Sequence, residues 1–144
     1  MDTAPAPVPG RTRFTSALEV RPDDLDMFRH VHSSRYLDYV LAARFEQMRR
    51  DYGMAMEEFL KLGLGWFQRS AHLEFKRPLG LGDAFTVTTW VEEIGRDTVR
   101  VDFEIRRQPA NKVACDGHCH YTLVRLDTGR AEPIPGWIAA KYAV

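Results

Sequence analysis

The stretch Asp24-Leu25-Asp26-Met27-Phe28-Arg29-His30-Val31-His32-Ser33-Ser34-Arg35-Tyr36-Leu37-Asp38-Tyr39-Val40-Leu41-Ala42-Ala43-Arg44 changes character at its two serines. Up to His32 it is polar and aperiodic, as a loop is. Beyond them Leu37, Val40, Leu41, Phe45 and Met48 recur at helical spacing. Ser33 or Ser34 is placed to cap the start, and Arg49 and Arg50 suit the negative end of the helix dipole before Gly53. This is the one long helix of the chain; a shorter helical piece over residues 54–62 is stopped by Gly63.

Outward from that helix the period changes from helical spacing to two. Upstream, Phe14, Ser16, Leu18 and Val20 alternate with polar or small residues, which predicts a first strand closed by Pro22. Downstream of Gly65, four further segments alternate: Ala71, Leu73 and Phe75; Phe85, Val87, Thr89 and Val91; Val99, Val101, Phe103 and Ile105; Val113, Cys115, Cys119 and Tyr121. The links 79–83, 95–97 and 109–111 are short and turn-like, so consecutive strands are expected to pair as an antiparallel meander. The helix stripe needs an apolar sheet face to cover it. An α+β arrangement, a curved five-stranded antiparallel sheet wrapped around one long central helix, satisfies both. The segment 132–138 reads as an irregular tail whose apolar side chains dock on the body.

At 144 residues the chain fits one domain. Residues 1–12, proline-containing at the start, read as a disordered lead rather than a signal peptide, leaving 13–144 as a single domain. Lys plus Arg and Asp plus Glu both number 20, so the charge balance gives no sign of nucleic acid as a partner. No run approaches the roughly 20 apolar residues of a membrane span, and a cytoplasmic location is expected. Cys115 and Cys119, four strand residues and so roughly 13 Å apart, are too distant to bridge and are expected to be buried free thiols.

The chemistry gathers where loop meets helix. The first N–H groups of a helix lack intrahelical partners and carry partial positive charge, so they can polarise a carbonyl. Asp26 places a carboxylate a few residues ahead of them. Carboxylate and amide dipoles are the two parts that acyl transfer from a thioester requires.

With helix, strands and loop assembled, the chain resembles the hotdog-fold acyl-CoA thioesterases, specifically the 4-hydroxybenzoyl-CoA thioesterase branch, over nearly its whole length. Such proteins carry a loop of the form Asp-x-Asp-x-x-Gly-His-Val-Asn before an Arg-Tyr-Leu helix start. Here those positions read Asp24, Asp26, Arg29, His30, Val31 and His32, then Arg35, Tyr36 and Leu37. A second similarity is Leu73-Glu74-Phe75-Lys76-Arg77-Pro78-Leu79-Gly80-Leu81-Gly82-Asp83, and a third is the ending Ile134-Pro135-Gly136-Trp137-Ile138. Two positions depart: the usual glycine is Arg29 and the usual asparagine is His32, so a somewhat different loop path is expected.

The resemblance implies hydrolysis of an acyl- or aroyl-CoA thioester to the free acid and coenzyme A. It assigns the catalytic carboxylate, nucleophile or general base, to Asp26 and the oxyanion donor to the backbone N–H of Ser33, leaving Asp24 structural. His30, His32 and Tyr36 are the candidates for substrate contact, and Met27, Phe28, Trp66 and Phe67 for lining an acyl pocket. Coenzyme A enters only as part of the substrate. No metal is expected at His30 and His32, two apart in a loop with no third ligand at standard spacing nearby, nor at His72, His118 and His120, because alternating polar residues are the ordinary outcome on the outer face of a sheet. Lys76, Arg77, Arg106, Arg107 and Lys112 are candidates to hold coenzyme A phosphates, with nothing to choose among them. The resemblance also implies a homodimer or a dimer of dimers with sites between subunits. The alternatives are a catalytically silent acyl-thioester-binding protein, kept open by Arg29 and His32, and an enoyl-CoA hydratase using Asp26 and His30.

Overall fold

The computed structural model describes residues 11–144. The elements are β1 (Phe14–Glu19), a short 3-10 turn (Pro22–Asp24), α1 (Arg35–Arg50), α2 (Met56–Lys61), β2 (Leu64–Phe75), β3 (Ala84–Ile94), β4 (Thr98–Arg107), β5 (Lys112–Arg125) and α3 (Gly136–Tyr142). Most of the expected disordered lead lies outside the described residues. Of its last two residues, Arg11 is buried and the Thr12 N–H donates to the Val144 carbonyl at 3.1 Å.

The five strands form one antiparallel sheet in the order β1-β3-β4-β5-β2. The meander is therefore only partly right. β3, β4 and β5 are joined by hairpins, but β2 pairs with β5 at the far edge, so the segment 76–83 crosses the sheet instead of turning back. That segment is held by its own contacts. Lys76 N–H and Arg77 N–H donate to the Ala114 carbonyl, and Asp83 Oδ2 accepts from the Gly80 N–H at 2.8 Å.

One sheet face is buried in strict alternation: Phe85, Val87, Thr89 and Val91 of β3, and Val99, Val101, Phe103 and Ile105 of β4. On the other face ion pairs such as Arg100 with Asp102 (2.7 Å) and Arg106 with Glu104 (3.2 Å) run along β4. Gly117 of β5 is required by a close approach, because a Cβ there would stand 1.8 Å from the His72 carbonyl oxygen of β2.

The helix stripe is rotated from the expected one. α1 buries Tyr36, Tyr39, Val40, Ala43, Arg44, Gln47 and Met48, whereas Leu41 and Phe45 remain exposed. Polar residues face the sheet because partners await them there. Gln47 Nε2 donates to Ser16 Oγ (3.1 Å), Thr89 Oγ1 donates to Gln47 Oε1, and Arg44 Nη1 donates to Thr89 Oγ1 (3.2 Å). These bonds fix α1 against β1 and β3. The tail is not irregular: residues 136–142 form α3, anchored by Ile138 and Tyr142, both fully buried. Cys115 and Cys119 are buried free thiols, as expected.

Candidate active site

The loop before α1 is a tight hairpin, closed by a bridge between Leu25 and Val31 and by the Asp26 N–H donating to the His30 carbonyl at 2.8 Å. Asp26 organises it. Its Oδ1 accepts the N–H groups of Phe28 (2.8 Å) and His30 (3.2 Å), while its Oδ2 takes no hydrogen bond among the described residues. An aspartate in this position satisfies turn amides that would otherwise be unpaired. One oxygen of the carboxylate is thus committed to the loop.

At Arg29 the chain passes through φ +63°. This is the left-handed region that glycine enters without steric cost. Here an arginine holds a turn that a glycine would enter freely. His32 is tied to the start of α1. Its Nδ1 accepts the Ser34 N–H at 3.2 Å and lies 2.8 Å from Ser34 Oγ, and its carbonyl accepts the Arg35 N–H at 2.9 Å. The cap of α1 is therefore His32 and not a serine hydroxyl, for Ser34 makes no side-chain capping bond. Accepting at Nδ1 leaves Nε2 as the ring's donor. Between these two residues the Ser33 N–H has no hydrogen-bond partner among the described residues.

Asp24 lies apart from this chemistry. It is buried, accepts the Tyr39 hydroxyl at 2.6 Å and the Arg21 N–H at 2.9 Å, and lies 3.8 Å from the Arg35 guanidinium. It pins the loop to α1, and its structural reading holds.

The second signature folds directly onto the first. The Val31 N–H donates to the Leu79 carbonyl at 2.8 Å, and His30 bridges Gly80. The result is a cleft of about 420 Å³ whose walls include Asp26, His30, His32, Ser33 and Tyr36, closed on the other side by Phe75 and the 76–78 segment. All five residues selected from the sequence meet there. Phe75 and Pro78 were missed as walls. Phe75 could have been found, since it ends the strand that runs into the Arg-Pro signature. Met27 and Phe28 instead stand exposed at the hairpin tip, Phe67 is exposed on β2, and Trp66 lines a different cavity.

Tyr36 is buried and packs edge-on to Phe75 with ring centroids 5.2 Å apart. Burial raises its hydroxyl pKa above the ordinary value; the Leu79 backbone opposes the rise, and Cys115 and Asp26 add to it. It is a neutral donor at physiological pH. Of the basic candidates, Lys76 and Arg77 line the cleft, with Lys76 3.0 Å from Asp116 and Arg77 donating to the Val113 carbonyl at 2.8 Å. Arg106 is paired with Glu104, and Arg107 donates to the Pro78 carbonyl at 3.1 Å. His72 and His118 stack across β2 and β5 with centroids 5.5 Å apart. Among the described residues no group of three or more His, Cys, Asp or Glu is disposed to hold a metal ion.

Residues 20–142 match the model of the thioesterase-like superfamily. The chain belongs to that superfamily. A curated relative of this superfamily member is the long-chain acyl-CoA thioesterase FadM of Escherichia coli, 21% identical over 124 residues, which cover 86% of this chain and 92% of FadM. Among solved structures, a 1,4-dihydroxy-2-naphthoyl-CoA thioesterase from Synechocystis superposes with a TM-score of 0.82 at 17% identity, covering 91% of this chain and 96% of that one. A hypothetical Staphylococcus aureus protein solved in complex with CoA gives 0.81 at 18% identity, covering 91% and 82%. The fold of this thioesterase-like chain is the hotdog: one long helix against a five-stranded antiparallel sheet.

Proposed function

We propose that this protein is an acyl-CoA thioesterase that hydrolyses an acyl- or aroyl-CoA to the free acid and coenzyme A. The observation that carries the reading is the convergence, in one cleft, of a carboxylate oxygen and a backbone N–H that have no partners among the described residues: Asp26 Oδ2 and the Ser33 N–H. Membership of the superfamily and the likeness to FadM support it from outside the site.

With the thioester carbonyl seated between them, the Ser33 N–H and the positive end of α1 stabilise the oxygen as it gains charge. Asp26 Oδ2 either attacks the carbonyl carbon, forming an anhydride that water then opens, or takes a proton from a water that attacks directly. In both routes the C–S bond breaks, coenzyme A leaves as a thiolate that gains a proton, and the acid retains the new oxygen. A thiolate leaves readily, so no histidine base is needed. Neither metal nor cofactor has a role. Tyr36, His30 and the Nε2–H of His32 contact the substrate, and Lys76 and Arg77 offer cations for the coenzyme A phosphates. Arg29 holds the hairpin turn and His32 bonds to the start of α1, so both residues have structural work in this loop and neither by itself favours a silent binding protein.

The second half of the site is a second copy of the chain. β2 is a 12-residue edge strand with Phe67 and Phe75 exposed, an edge that pairing with another chain would cover. A homodimer or dimer of dimers in the cytoplasm is the working assembly. The test is thiol release from a panel of aliphatic and aromatic acyl-CoA substrates: turnover of one class is expected, and coenzyme A binding without turnover of any would overturn the enzymatic reading.

A further inference from the structure

The ring of His32 makes a bond that only one of its charge states can make. Its Nδ1 accepts the Ser34 N–H at 3.2 Å and lies 2.8 Å from Ser34 Oγ. A backbone N–H is a donor and nothing else, so Nδ1 bears a lone pair and the ring is neutral, with its proton on Nε2. A protonated imidazole has an N–H on both nitrogens and no acceptor. The Ser34 hydroxyl can then turn to accept the new proton, but the Ser34 N–H cannot reverse and is left facing another donor.

That bond adjoins the amide aimed into the cleft. The peptide unit that presents the Ser33 N–H is held by its own carbonyl, where His32 O accepts the Arg35 N–H at 2.9 Å. The next unit is held by the Ser34 N–H on the His32 ring. Losing the second bond frees the dihedral angles at Ser33, and a group that meets a reacting atom tolerates little misplacement. The charged and titratable groups around the ring are Asp26 and His30 of the hairpin, Tyr36 of α1, and Lys76 and Arg77 across the cleft. Arg35 is turned to Asp24 and Asp38. Among the described residues none of these hydrogen-bonds to the ring, whose partners both belong to Ser34.

We propose that His32 is a pH-responsive positioning residue: its neutral ring fixes the start of α1 and with it the Ser33 amide, and protonation of the ring releases both. The consequence for turnover rests on the thioesterase reading: hydrolysis slows as pH falls and the share of protonated His32 grows. An asparagine in this place accepts through an amide oxygen that does not titrate, so the response belongs to the histidine of this chain.

The test is a pH series on the 15N-labelled full-length protein and on His32→Asn, from about pH 8 down to about pH 5.5, within the span where histidines ordinarily change charge. The chain has 5 histidines, and the ring signals missing from His32→Asn identify those of His32. At the upper end the His32 ring is expected to carry its proton on Nε2. On acidification the Ser34 amide signal is expected to move along the same titration curve as the ring, and in His32→Asn to move far less. Acyl-CoA turnover is followed at saturating substrate, each profile scaled to its own value at the upper end. Wild-type kcat is expected to fall about fivefold or more across the series and that of His32→Asn by less than about twofold. Asp26, His30, Lys76 and Arg77 are common to both proteins, so the difference belongs to residue 32. The amide series needs no turnover, which separates a failure of this inference from a failure of the thioesterase reading. A proton on Nδ1 at the upper end, a Ser34 amide that ignores the ring or moves as far in His32→Asn, or the same fall in kcat in both proteins would each overturn the proposal.

Discussion

At the scale of single residues, the two positions where the chain departs from its relatives' pattern are the most informative. Arg29 holds φ +63° in the Asp26 hairpin. A side chain there is strained, and a β-branched one more so. Arg29→Val is expected to lower stability by about 1–2 kcal/mol in urea unfolding, whereas Arg29→Gly is expected to be neutral or stabilising. His32 caps α1 through Nδ1, which an asparagine oxygen can replace and a methyl cannot. His32→Asn is therefore expected to keep stability and thioester turnover close to wild type. His32→Ala is expected to lose about 1 kcal/mol of stability and to slow turnover as the Ser33 amide loses its fixed position. That Asp26 would lie near the start of α1 was legible, because a loop aspartate and a helix start are local sequence features. The roles of Arg29 and His32 were not, since a positive φ at arginine and a histidine cap contradict ordinary preference, and only the closed hairpin reveals them.

At the scale of elements, the apolar stripe of α1 was misjudged because periodicity marks a helix without fixing which side meets the sheet. Leu41 and Phe45 fit the stripe as well as Ala43 and Gln47 do, yet the latter are buried. The bonds among Gln47, Thr89, Ser16 and Arg44 decide it. Thr89→Val removes the shared hydroxyl while keeping the shape, so it leaves Gln47 Oε1 and the Arg44 guanidinium each short of a buried partner. A loss of about 1–3 kcal/mol is expected in equilibrium unfolding, with the fold retained by circular dichroism. α3 was unreadable for a different reason. Pro135 and Gly136 signal a break, and the helix that follows is held by burial of Ile138 and Tyr142 rather than by local preference. The β2-to-β3 crossover was hidden because segment 76–83, with Pro78 and two glycines, looks like a turn until the Asp26 loop is present for it to pair with.

At the scale of the whole molecule, the core holds several acids that burial keeps neutral. The Cys115 thiol is pushed from its ordinary 9.0 up to about 12, chiefly by burial and then by Asp116. The Tyr142 hydroxyl is pushed from 10.0 up to about 12, also chiefly by burial, and Tyr39 and Tyr121 move in the same direction for the same leading cause. In the unfolded chain these groups lose their protons first as pH rises, so the unfolded state binds fewer protons and stability falls. The contribution is fully present below the ordinary value of 9.0 and is lost as pH climbs toward 12. Thermal unfolding followed across that range is expected to show Tm falling on the alkaline side. A Tm unchanged up to the upper limit would contradict the burial of these groups.

The central claim is that Asp26 performs the chemistry of a cleft built from two sequence signatures. It is tested most directly by kcat of Asp26→Asn on the best acyl-CoA substrate, with coenzyme A affinity measured beside it. A fall in kcat of about 10²-fold or more, as expected for removing a positioned catalytic group, with affinity unchanged, is the predicted result. A kcat equal to wild type in a protein that still binds coenzyme A would contradict the account.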